Sequence, residues 1–134
     1  MNYEFYDDAS ILNGYMPYMN NLALFSPYEG FLKGNAMKDE YIPYKNYKVR
    51  TIEFKSEKEE LLFNILEYSF MMHDLNLYLD INPNDEIALN EFNEYRKKSN
   101  ELTKKYERKY GPLEVCESDS NKTFNWVSMW PWVN

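Results

Sequence analysis

The chain contains no glutamine, one histidine and one cysteine, and only four glycines and four alanines among its 134 residues. The lone Cys116 excludes an internal disulfide and fits assembly in a reducing compartment. One histidine and one cysteine remove most metal and nucleophile constellations at once. A ferritin-like dinuclear centre needs two Glu-x-x-His motifs on facing helices; here His73 is alone, and Phe70 stands three residues before it. His73-Asp74 is the single acid–imidazole neighbour pair, and adjacent helical residues do not face each other, so His73 reads as a structural residue. Excess positive charge is also missing: 15 basic against 22 acidic residues give a net charge of −7. A nucleic-acid binder needs a basic face, so that class is not expected. No apolar run approaches the ~20 residues of a membrane span, and residues 1–30 carry acidic charge, unlike a secretory leader. The expectation is a protein without catalytic function, without a cofactor, and contacting neither nucleic acid nor membrane.

What the chain has in quantity is aromatic side chains, 18% of the total, with 13 Tyr, 8 Phe and 3 Trp. Residues 1–54 hold eight of those tyrosines and three of the six prolines, in Pro17-Tyr18, Pro27-Tyr28 and Pro43-Tyr44. Each proline restricts the residue before it and removes a backbone donor, so long helices are not expected. Tyrosine is bulky and amphipathic, so this segment suits an arm that lies across an apolar surface with its hydroxyls in water. Packing explains these rings most simply; oxidative cross-linking between chains is the functional alternative.

Residues 55–110 change to a helical texture. Ser56-Glu57-Lys58-Glu59 reads as a capping box. Leu61, Ile65, Tyr68, Met72, Leu75 and Leu79 then alternate at four and three residues, as do Ala88, Phe92, Tyr95, Ser99, Leu102 and Tyr106. Asn82-Pro83 separates the runs, with Asn82 as the expected cap and Pro83 at the first helical position. Cationic Lys104, Lys105, Arg108 and Lys109 suit the last turns of a helix, and Gly111-Pro112 ends it. The reading is mainly α: an antiparallel two-helix hairpin, with the Tyr/Pro-rich arm and an aromatic C-terminal tail packed on it. The expected division is an arm over 1–54 and a hairpin with its tail over 55–134.

The first helix carries a second apolar row, Leu62, Leu66, Phe70 and Leu77, with His73 in it. Four such side chains left in water forfeit roughly 6–12 kcal/mol gross, so a cover is expected. The candidates are the tyrosine-rich arm, another chain, and the C-terminal tail, which offers Phe124, Trp126, Trp130 and Trp132. Leu62, Leu66, Phe70, Leu77, Trp126, Trp130 and Trp132 are therefore the candidate interaction residues. The carboxylate pairs Glu67/Asp74 and Glu94/Glu101 recur seven apart and read as solvated helix faces.

Four ordered blocks complete the pattern: Leu77-Tyr78-Leu79-Asp80-Ile81-Asn82-Pro83-Asn84-Asp85, Phe92-Asn93, Tyr106-Glu107-Arg108-Lys109-Tyr110-Gly111-Pro112-Leu113 and Trp130-Pro131-Trp132. With these blocks the chain resembles the CotJB type of spore coat protein over about residues 60–134. Upstream, Gly30-Phe31-Leu32-Lys33-Gly34-Asn35 and Tyr41-Ile42-Pro43-Tyr44-Lys45-Asn46-Tyr47 resemble the N-terminal extension of some clostridial members. The resemblance implies a structural protein of the endospore coat, assembled from the mother-cell cytoplasm. It implies as partners a manganese-catalase-like coat protein and a small Pro-rich coat protein, and it supplies no catalytic residues. Self-association is compatible with it. The alternative is a non-catalytic helical adaptor or regulatory module, since the Asn82–Asp85 turn superficially resembles a tetratricopeptide unit. Such arrays need several copies at a 34-residue period, and this chain has one hairpin.

Overall fold

Three helices and one 3-10 turn make up the regular structure of the computed structural model, which describes residues 22–115. They are α1 (Pro27–Lys33), the 3-10 turn Tyr44–Asn46, α2 (Glu57–Ile81) and α3 (Glu86–Tyr110). The fold is mainly helical, and no strand occurs among the described residues. The expected tail, with Phe124, Trp126, Trp130 and Trp132, lies outside them, as do residues 1–21 and Cys116.

The long helices start where their caps dictate. Ser56 Oγ accepts the Glu59 amide at 3.2 Å, as the capping box requires. Its reciprocal half is shifted by one residue, because Glu59 Oε2 accepts from the Lys55 amide at 2.8 Å. The turn between the helices differs from the expected one. Asn82 ends α2, its amide reaching Tyr78 O, and Asp85 caps α3 by accepting the Ala88 amide at 3.0 Å. Pro83 therefore lies in the turn, two residues before the cap. Asp85 wins because one carboxylate serves two donors: the Tyr78 hydroxyl also donates to its Oδ2 at 2.8 Å. Burial, with Asp85 beside it, pushes the Tyr78 phenol up to about 12. At the far end Gly111 takes a positive φ of 99° and returns its amide to Glu107 O.

The two helices run antiparallel, with Tyr78 meeting Asp85 at the turn, Ser69 meeting Ser99 midway, and Glu57 meeting Lys109 at the open end. The two heptad-like rows face each other along this seam. Near the turn, Leu75 and Ala88 are buried with Phe92, Tyr95, Tyr78 and Leu79 around them. Near the open end, Leu61, Ile65 and Tyr106 are buried under Leu62, Leu102, Tyr110 and Leu113. Between these clusters the Ser69 and Ser99 hydroxyls share a 2.8 Å hydrogen bond, flanked by the Tyr68–Tyr95 ring pair. Ser99 is itself buried, so the hydroxyl it meets satisfies it without water.

Two substitutions test this seam. Leu75→Asp places an unpaired carboxylate at a fully buried site, at a cost of several kcal/mol against a total stability of ~5–15; a cooperative melt at the wild-type temperature would contradict the assignment. Asp85→Ala removes the cap and the Tyr78 partner together, and thermal unfolding should show a loss of about 1–2 kcal/mol.

Candidate interaction surface

Apolar side chains surround α2 on all sides, whereas α3 presents one apolar side and one charged side. The face of α2 turned away from α3 carries Phe63, Glu67, Phe70, Met71 and Asp74, a row at helical spacing of which only Phe70 belongs to an expected stripe. Residues 22–54 lie on it. Ser26 caps α1 through the Glu29 amide, Pro27 opens it, and Gly34 closes it in the left-handed region at φ 69°. The segments on either side of α1 pair through an antiparallel bridge between Leu24 and Met37, with Phe25 N to Ala36 O and Lys38 N to Ala23 O both at 2.9 Å. The resulting closed loop sits against α2 at three kinds of contact.

One is steric. Gly30 is buried, and a Cβ at this position would stand 2.7 Å from Met71 Sδ, so only glycine lets α1 approach this closely without displacing Met71. A second is polar. Asp74 Oδ2 accepts the Ala36 amide at 2.7 Å, a charge-assisted bond across 38 residues of sequence. The third is aromatic. Phe63 meets Tyr28, Phe31 and Phe54 at centroid distances of 5.6, 5.3 and 5.2 Å, and Phe31 also meets Phe70 at 5.9 Å. Edge and tilted ring pairs of this kind contribute about 0.5–1.5 kcal/mol each beyond their buried area. Tyr28 fastens the strap that follows: its hydroxyl donates to Arg50 O at 2.8 Å and accepts the Ile52 amide at 2.9 Å.

The candidate interaction residues are therefore not brought together as one wet stripe. Leu62 packs with the Leu61, Ile65 and Tyr106 cluster, and Phe70 lies under Phe31. Leu66 and Leu77 are exposed, and His73 is exposed beside them in the row. Trp126, Trp130 and Trp132 lie outside the described residues. Apolar exposure continues around the interhelical turn as Ile81, Ile87 and Leu89. Leu77 and Ile81 line a groove of about 330 Å³ with Gly34, Met37, Glu40 and Asp74. Sequence reading passed over Ile81, Ile87 and Leu89 because they fall outside the two stripes.

The carboxylates divide differently from expectation. Glu94 and Glu101 are exposed on the outer side of α3, beside Arg96, Lys97 and Lys104, as a solvated face should be. Glu67 and Asp74 are not a solvated face. Glu67 is buried, and burial pushes its carboxyl up from the ordinary carboxylate value. Asp74 is half-buried and bonded to Ala36. Among the described residues no three His, Cys, Asp or Glu side chains are grouped to hold a metal ion, and no helix is long and apolar enough to cross a membrane.

Glu67 supplies a pH prediction. Its folded pKa lies above its unfolded value, so the folded chain binds more protons across that range and loses stability as pH rises through it. Glu67→Gln should raise the melting temperature at neutral pH, and the gain should vanish when pH falls below the carboxylate range. An equal gain at both extremes would show that burial of the charge is not its cause.

No curated protein and no solved structure matches the chain. A protein-family model does: CotJB protein, over residues 59–133, more than half of the chain. The match begins at the first turn of α2, takes in both long helices, the Tyr78–Asp85 turn and Gly111, and leaves the α1 region outside. The chain belongs to the CotJB family of spore coat proteins.

Proposed function

We propose that the protein is a structural subunit of the bacterial endospore coat and acts through assembly with other coat proteins, without catalysing a reaction. Membership of the CotJB family carries this reading. The exposed Leu77, Ile81, Ile87 and Leu89 support it, because apolar surface grouped at one end of a domain suits contact with another protein. The manganese-catalase-like coat protein and the small Pro-rich coat protein are the proposed partners. Synthesis takes place in the mother-cell cytoplasm, followed by deposition around the forespore. The lone histidine and the mixed-charge face of α3 offer no constellation for proton transfer or nucleophilic attack, which favours assembly over chemistry.

A fluorescent fusion at the native locus tests this in sporulating cells. The signal should form a shell around the forespore, remain on purified spores and co-purify with the catalase-like protein. Signal that stays diffuse in the mother cell and is absent from purified coats would contradict it. The isolated protein should bind no stoichiometric transition metal and turn over no peroxide; a bound metal by elemental analysis would overturn the non-catalytic part.

A further inference from the structure

The groove of about 330 Å³ at the turn end of α2 has an apolar wall of Leu77 and Ile81, 51% and 59% exposed among the described residues. Its occupant follows from where the chain enters the fold. The described residues begin at Leu22, which packs against the turn-end cluster of Met37, Leu75 and Ala88. Met37 of that cluster, and Tyr78 packed on it, also line the groove. Leu24 pairs with Met37 in the antiparallel bridge, so Leu22 stands only two residues of extended chain, about 7 Å, upstream of a groove residue's partner. The residues before Leu22 therefore join the fold beside the groove.

Their chemistry suits it. Residues 9–21 contain no charged side chain, in a chain that is 28% charged overall. They carry Ile11, Leu12, Tyr15, Met16, Tyr18 and Met19. Such a segment brings no ion to be desolvated against Leu77 and Ile81. Of the two carboxylates that line the groove, Glu40 and Asp74, the second is already bonded to the Ala36 amide.

The other occupants are at a disadvantage of distance. The C-terminal tail follows Leu113, which packs at the open end of the hairpin. The 25 residues of α3 separate that end from the turn, about 37 Å at 1.5 Å per residue. Trp126 stands eleven residues beyond Val115 and covers that distance only with every residue between fully stretched. A second copy has to bring its segment from free solution. The molecule's own segment is tethered beside the groove, at an effective concentration on the order of mM.

We infer that residues 9–21 of the same molecule occupy the groove and cover Leu77 and Ile81. A coat partner at this end of the hairpin then meets the docked segment together with the exposed Ile87 and Leu89, in place of a bare groove. The docking is a property of the free chain and goes beyond the assembly reading without resting on it. A protein that reaches the coat with its groove empty refutes the docking and leaves coat assembly intact.

Methyl NMR of the full-length chain tests it, with the Met37 methyl in the groove wall as reference. Methyl groups of Ile11, Leu12, Met16 or Met19 should show nuclear Overhauser contacts to those of Leu77 and Ile81. Isotope-filtered spectra of a mixed labelled and unlabelled sample should lack these contacts, which marks them as intramolecular. Leu77→Asp with Ile81→Asp should abolish them and return the Met16 and Met19 methyl shifts to free-peptide positions. Both sites are more than half exposed, so circular dichroism should show unchanged helix content. Met16→Asp with Met19→Asp repeats the loss from the segment's side, and binding of a hydrophobic dye should rise as the groove opens. Absence of the contacts in the wild type would overturn the docking. So would contacts found only between molecules, contacts from the Trp126, Trp130 or Trp132 rings in their place, or methionine shifts that the groove variant leaves unmoved.

Discussion

The structure depends on a mismatch between its two long helices. α2 has apolar side chains around its whole circumference, and α3 has them on one side only. One partner helix buries one face, so a second cover is obligatory on energetic grounds, each large side chain left wet costing about 1.5–3 kcal/mol. Residues 22–54 supply that cover across Phe63, Phe70 and Met71. Apolar side chains at Leu66, Leu77 and the interhelical turn stay exposed beside it.

How the cover is attached explains the composition of the N-terminal half. Glycine at position 30 allows helix and helix to approach at Met71, and glycine at 34 ends α1 in a conformation other residues resist. Pro27 opens α1 and Gly34 closes it, so α1 is a seven-residue segment that a short closed loop can carry. Tyrosines place rings on the apolar face while their hydroxyls tie distant backbone, as Tyr28 does for Arg50 and Ile52. Asp74 fixes the register of the loop by accepting one amide, Ala36.

The seam between α2 and α3 was legible because its four-three spacing uses large apolar residues that announce themselves. Leu61, Ile65, Leu75, Ala88, Ser99 and Tyr106 all lie buried along it. The outer face of α2 was not legible, because Glu67 and Asp74 interrupt its row and charged residues at heptad spacing look solvated. Asp74 is held by the Ala36 amide, 38 positions away in sequence, and local pattern carries no information about such a contact. The turn was misread by three residues for a related reason. Asn82 and Asp85 are both good caps locally, and the choice between them was made by the Tyr78 hydroxyl. The exposure of Ile42 and Tyr44 left no periodic trace, since the adjoining turn takes left-handed backbone at Lys45 and Asn46 and belongs to no α-helix or strand.

The central claim is that the cover of residues 22–54 is an integral part of the fold and not an appendage. Amide hydrogen exchange on the full-length chain tests this most directly, through the Phe25, Ala36 and Lys38 amides, which pair with Ala36 O, Asp74 and Ala23 O. If the cover is integral, these amides exchange only by the global opening that also releases the centre of α2, with the same free energy and the same denaturant dependence. Exchange at free-peptide rates while the α2 amides stay protected would show that the hairpin stands without its cover, and would contradict the account.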